Sequence, residues 1–143
     1  MKKDFDQNLF DWHDEPARKA TKRWLRGQGW ETADHPDPYA HDLIAIKNDS
    51  LILVECEVKT VWEGMEFPFD TVQLPERKRK FLHPRAVFFI WNKSLDNAVY
   101  FWARDIEHLT PVHVPNKYIK EGEYFYQIPL NLVKFTSDFS VQD

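Results

Sequence analysis

Glycine is scarce in this chain, with four in 143 residues, and cysteine occurs once. So few glycines leave no room for a Walker-type loop that cradles phosphates. The lone Cys56 cannot form an internal disulfide, which fits a reducing, cytoplasmic setting. The six histidines include no H-E-x-x-H pattern and there is no cysteine pair, so a zinc site is not expected. Serine is sparse and no G-x-S-x-G is present, which argues against a nucleophile-elbow hydrolase. No apolar run approaches the roughly 18 residues of a membrane helix. The opening Met1-Lys2-Lys3-Asp4-Phe5-Asp6 is charged with no apolar region behind it, so neither a membrane span nor a secretory leader is expected.

What is present points to a folded domain. Hydrophobic residues make up 43% and aromatics 15%, too much apolar surface for a disordered chain. One domain over residues 1–143, without repeats or low-complexity tracts, is large enough to bury a core. The net charge of -4 does not suit a protein that coats nucleic acid. The basic residues are bunched, however. Arg18, Lys19, Lys22, Arg23 and Arg26 fall in one segment, and Arg77, Lys78, Arg79 and Lys80 in another. Such patches either bind phosphates or are ordinary solvated helix faces.

Residues 1–13 show no period and read as an irregular lead-in. Asp14 caps a helix with Pro16 in its first turn, and Gly27 and Gly29 end it. Trp30 to Ala33 reads as a first strand. His41 to Ile46 and Leu51 to Thr60 form a hairpin turning at Asn48-Asp49. Val61 to Phe69 is an aromatic-rich loop in which Trp62 or Phe67 either stacks on bases or folds back as a lid on the core. Asp70 to about Leu82 is read as a second helix, placing Gln73, Arg77 and Lys80 on one face. Ala86 to Trp91, apolar on both faces, reads as a central strand reached by a parallel crossover. Ala98 to Trp102 is a further strand, and Arg104 to Leu109 a short helix. Tyr124 to Pro129 is a last strand, followed by a helix or tail.

The hairpin carries the chemistry. In an extended strand alternate side chains share a face, so Glu55, Glu57 and Lys59 project together with Leu51 and Leu53. Ile52, Val54, Cys56 and Val58 face the other way, which makes Cys56 a core residue. Folding about Asn48-Asp49 brings residue 42 near 55, or near 57 after a slip of two. Either register sets Asp42 beside Glu55 and Glu57 at the Lys59 end of the sheet. Charges are costly on an apolar strand. The cluster is therefore either a cross-strand ion network at a wet edge, joined by Lys47, or a site for a metal ion.

Asp42, followed on the next strand by Glu57-Val58-Lys59 as an E-x-K element, resembles the PD-(D/E)XK nuclease superfamily, whose layout archaeal Holliday-junction resolvases share. The resemblance spans roughly Glu15 to Trp91. His41 rather than proline precedes Asp42, and the literal Pro36-Asp37 lies in a loop before the strand. The family implies an α/β, restriction-endonuclease-like fold: a mixed central β-sheet flanked by helices, an α-β-β-β-α-β core, here with extra C-terminal strands. It also implies a Mg2+-dependent (or Mn2+-dependent) nuclease hydrolysing phosphodiester bonds in DNA before RNA. Asp42, Glu57 and the Val58 carbonyl would hold the metal, and Lys59 would orient or activate the attacking water. Glu55 would be a second-metal ligand or the partner that keeps Lys59 charged, and Gln73 would face the site from its helix. Glu15 is either an additional site acid or an i,i+4 partner of Lys19. Lys19, Lys22, Arg26, Arg77 and Lys80 are the candidate nucleic-acid contacts. Many relatives of this size form a homodimer to address two strands. Two other readings stand beside it: a non-catalytic nucleic-acid-binding or assembly subunit on the same fold, and a protein-interaction domain using the aromatic loop.

Overall fold

The computed structural model describes residues 2–37, 39–115 and 122–136. Helix α1 spans Lys2–Gly27, so the segment expected to be irregular is helical and Asp14 lies inside the helix rather than capping it. Pro16 is likewise internal and removes one backbone donor from the helix. Small residues let the helix lie close to a sheet: Ala17 and Ala20, with Leu25, are buried against it. Thr21, also fully buried, donates its hydroxyl to the Ala17 carbonyl (2.7 Å) and accepts from the Trp91 indole (2.8 Å), pinning helix to strand.

Strands β1 (Glu31–Asp34), β2 (Leu43–Lys47), β3 (Ser50–Val58), β5 (Ala86–Trp91), β6 (Ala98–Trp102) and β9 (Lys134–Phe135) form one mixed sheet in the order β1-β2-β3-β5-β6-β9. β1, β2 and β3 are an antiparallel meander, and β5 runs parallel to β3. The hairpin turns at Asn48, whose φ of 55° is the left-handed conformation that asparagine tolerates best after glycine. Lys47 then faces Ser50 and Leu43 faces Val54. All six residues of β5 are buried, as expected for a strand covered on both faces.

The two faces have separate cores. On the helix side, Ile52, Val54, Cys56, Val87, Phe89 and Trp91 pack with α1. On the other, Phe88, Ile90, Val99 and Phe101 meet a second sheet of β4 (Thr71–Pro75), β8 (Glu123–Pro129) and β7 (Val112–Val114), ordered β4-β8-β7. The short helix expected after β6 is α2 (Ala103–Ile106). The tail expected after the last long strand includes 3-10 turn Leu130–Leu132 and β9, and beyond Thr136 it lies outside the described residues.

The second helix expected from Asp70 to Leu82 does not form. Its place is taken by β4 and a 3-10 turn over Glu76–Phe81. Pro75 biases Leu74 away from helical backbone and supplies no N–H, while Val72 and Leu74 alternate inward with period two. They pair across to Ile128 and Tyr126, so burial against β8 outweighs the weak helical spacing. The aromatic loop is a lid: Trp62 is fully buried, edge-on to Phe67, and its indole donates to the Glu66 carbonyl (2.9 Å).

Asn92 anchors that loop to the sheet. It is fully buried, and its amide donates to Gly64 O (2.8 Å) and Asp96 Oδ1 (2.7 Å) while accepting from the amides of Asp96 and Asn97. Asn92→Ala orphans several of these groups and should lower stability by about 2–3 kcal/mol. Urea unfolding followed by tryptophan fluorescence measures this, and an unchanged midpoint would contradict the assigned role.

Candidate active site

The hairpin register decides what meets at the end of β3. Residues pair with a constant sum along β2 and β3, which sets Asp42, just before β2, opposite Glu55. The contact is direct. The Asp42 amide donates to Glu55 Oε1 (3.0 Å), and the Cys56 amide donates to Asp42 Oδ2 (3.1 Å). The Cys56 thiol lies 3.7 Å from the same oxygen. Glu55 is buried, and Asp42 half-buried.

Glu57, one pleat further along β3, is exposed to solvent. It shares with Glu55 a cleft also lined by Leu74, Lys78, Phe88 and Ile90. Val58 is the last residue of β3. The Lys59 amide donates to Trp91 O (2.8 Å), which carries the β3–β5 pairing one residue further. Its ammonium lies 5.1 Å from the centroid of the Phe69 ring, at the aromatic loop. The cation in contact with the acids is a different one: Lys78 Nζ is 3.5 Å from Glu55 Oε2.

Crowding and burial weaken these acids. Burial, followed by repulsion from Asp42, pushes Glu55 up from the usual 4.5 to about 8, against the pull of Lys78 and of the Asp42 amide. Burial likewise raises Asp42, opposed by the Cys56 amide and by the positive charges of Lys78 and Arg18. Glu57 is raised by loss of solvent around its carboxyl and pulled down by Lys78, Lys59 and Arg77. His41 is lowered by burial and donates from Nε2 to the Phe81 carbonyl (2.8 Å), which ties the loop before β2 to the 3-10 turn.

The other expected residues are placed less centrally. Gln73 is on a strand, not a helix, and is exposed on the face of β4 opposite Val72 and Leu74. It does not share a face with Arg77 and Lys80, because the helix that would align them is absent. Glu15 pairs with Arg18 at 2.6 Å rather than with Lys19, the nearer i,i+3 neighbour winning over i,i+4. Lys19 is exposed, Lys22 pairs with Asp34 (2.8 Å), and Arg26 reaches the Thr32 carbonyl (3.4 Å). Arg77 pairs with Glu123, and Lys80 lies 5.1 Å from the centre of the Phe81 ring.

Two residues at the acids, Lys78 and Arg18, are not singled out by the sequence reading. A helix over 70–82 turns Arg77 and Lys80 to one side. In a 3-10 turn the period is three, so Lys78 aligns with Phe81, whose ring lies 5.4 Å from its ammonium. Phe81 is held by His41, which directs Lys78 toward β3. The usable signal was Pro75, which argues against the helix.

Among the described residues, no three His, Cys, Asp or Glu side chains close around one point. An all-side-chain cage is therefore not what this end of the sheet offers. The donors at hand are the carboxyl oxygens of Asp42, Glu55 and Glu57, and the Lys78 ammonium stands among them. In kind, that donor set suits a hard divalent cation.

A raised carboxyl value means that the folded state holds a proton the unfolded chain would release. For Glu55 the resulting stability is complete below 4.5 and is lost as pH rises through about 8. Glu55→Gln keeps an oxygen for the Asp42 amide but cannot ionise. In chelator, its stability relative to wild type should therefore grow between about pH 5 and pH 9, by on the order of 1–3 kcal/mol. Chemical denaturation of both proteins across that range tests this, and a difference independent of pH would count against it. Comparison with known proteins finds neither a family model that matches this chain nor a significant match among curated proteins.

Proposed function

We propose that this protein is a small metal-dependent nuclease on the PD-(D/E)XK plan, hydrolysing phosphodiester bonds in DNA. The observation that carries the reading is the register that sets Asp42 opposite Glu55, with Glu57-Val58-Lys59 ending the same strand beside a parallel neighbour. The α1-β1-β2-β3 order followed by a parallel β5 supports a restriction-endonuclease-like core, in which a strand and a 3-10 turn replace the helix between β3 and β5.

In this reading Asp42, Glu57 and the Val58 carbonyl hold Mg2+ or Mn2+. The bound ion would polarise the scissile phosphate and lower the pKa of a water. Lys59, at the mouth beside Phe69, orients that water and offsets charge developing on the phosphate. Glu55 is too buried to reach substrate directly, and it positions Asp42 through the Asp42 amide. Lys19, Arg79 and Lys80 are exposed and could meet the phosphate backbone, Lys80 from its place against the Phe81 ring. Lys22, Arg26 and Arg77 would first have to leave intramolecular partners.

A second reading has its own support. With no side-chain cage of three ligands among the described residues and an ammonium beside the acids, the same fold suits a nucleic-acid-binding subunit that does not cut. Labelled DNA incubated with and without Mg2+ separates the two. Cleavage should require Mg2+ and fall at least about 100-fold in Asp42→Asn, Glu57→Gln and Lys59→Ala, with circular dichroism unchanged. If all three variants cut at the wild-type rate, the site is elsewhere.

Divalent ions should also raise the melting temperature of the nuclease, because the folded state alone offers the site. At millimolar Mn2+ a rise of a few degrees is expected for wild type and none for Asp42→Asn. Equal shifts in the two proteins would show ion binding away from Asp42.

A further inference from the structure

The acidic end of β3 already contains a cation. Lys78 Nζ lies 3.5 Å from Glu55 Oε2, and the two side chains are 19% and 8% exposed. Few surface ion pairs are so enclosed. The ammonium enters the cleft that Glu55 and Glu57 line, between β3, β4 and β5. Its position follows from the backbone. Pro75 ends β4, the 3-10 turn puts Lys78 in line with Phe81, and His41 grips the Phe81 carbonyl from the loop that carries Asp42. Lys59, the lysine of the E-x-K element, is instead drawn to Phe69. The ammonium in contact with Glu55 thus comes from a different segment, the turn after β4.

We propose that Lys78 is a displaceable internal counter-ion: seated against Glu55, it offsets the negative charge that Asp42 and Glu57 bring to this end of β3 in the metal-free protein, and it must withdraw when a divalent cation enters. This rests on the reading of Asp42 and Glu57 as metal-holding residues. An ammonium beside Glu55 and a doubly charged ion held by Asp42 and Glu57 would repel at short range. The two cations therefore compete. A lysine is suited to giving way, since its charge sits on a flexible four-carbon stem, whereas the forked geometry of an arginine would bind the carboxylate more rigidly. Lys78 is a positioning residue in this scheme, holding the acids together until the metal replaces it.

The test compares Mn2+ binding by the full-length wild type, Lys78→Met and Lys78→Arg at one fixed pH and ionic strength, by calorimetry. Lys78→Met keeps the stem without the charge and should bind Mn2+ about tenfold tighter or more. Lys78→Arg should bind no tighter than wild type. Should Lys78→Met fold poorly, wild type alone decides: in lysine-labelled protein the Lys78 side-chain NMR signals should move on saturation with Mg2+ as the ion pair opens. Unchanged or weaker Mn2+ binding by a folded Lys78→Met overturns the proposal. So do stationary Lys78 signals at Mg2+ saturation, or no Mn2+ binding by wild type and Lys78→Met alike. DNA cleavage by wild type is scored separately. Tighter Mn2+ binding by Lys78→Met without any wild-type cleavage keeps the counter-ion and removes the nuclease, and wild-type cleavage with equal Mn2+ affinities does the reverse.

Discussion

Two backbone-to-carboxylate hydrogen bonds between adjacent segments organise this molecule: Asp42 N–H to Glu55 and Cys56 N–H to Asp42. They join the loop before β2 to the middle of a buried strand and bring two carboxylates together where neither is well hydrated. An arrangement of this kind costs stability, because burial and mutual repulsion both oppose ionisation. That cost, held at one end of the central strands, is what marks these acids as the candidate site. The remainder of the structure can be understood as what holds that end together.

The helix side does so by packing. α1 lies close on β3 and β5 through alanines, and the Trp91–Thr21–Ala17 chain of hydrogen bonds fixes its height. The same placement brings Arg18 within electrostatic reach of Asp42. The opposite side does so with a second sheet. β4 and β8 cover Phe88 and Ile90 of the central strand, and the turn after β4 delivers Lys78. Trp62, locked beneath the aromatic loop, closes the layer just past Lys59. Each layer therefore contributes one cation to the acids and one apolar surface to the core.

Most of the central sheet was legible in the sequence because its strands carry strong, period-two or fully apolar patterns. The hairpin about Asn48, the alternation of Val54, Cys56 and Val58, and the run from Ala86 to Trp91 each have one reading that buries their apolar side chains. The segment from Asp70 to Leu82 misled because its helical face was made of Gln73, Arg77 and Lys80, polar residues whose spacing commits no burial energy. Val72 and Leu74 found partners in Ile128 and Tyr126, more than fifty residues away, and no local pattern signals such a pairing.

The chain by itself determined which side chains of the hairpin share a face, since a slip of one residue would expose Val54 and bury Glu57 instead; a slip of two keeps the faces, so it was the folded pairing that set Asp42 opposite Glu55 rather than Glu57. What only the tertiary structure decided was the charge environment of those carboxylates. Lys78 rather than Lys59 contacts Glu55, Glu15 is turned to Arg18, and Gln73 faces outward. The physical reason is range. The face a strand side chain takes follows from local alternation, whereas the position of a long, flexible cation depends on how separate segments stack, and that is fixed by apolar contacts the charged residues take no part in.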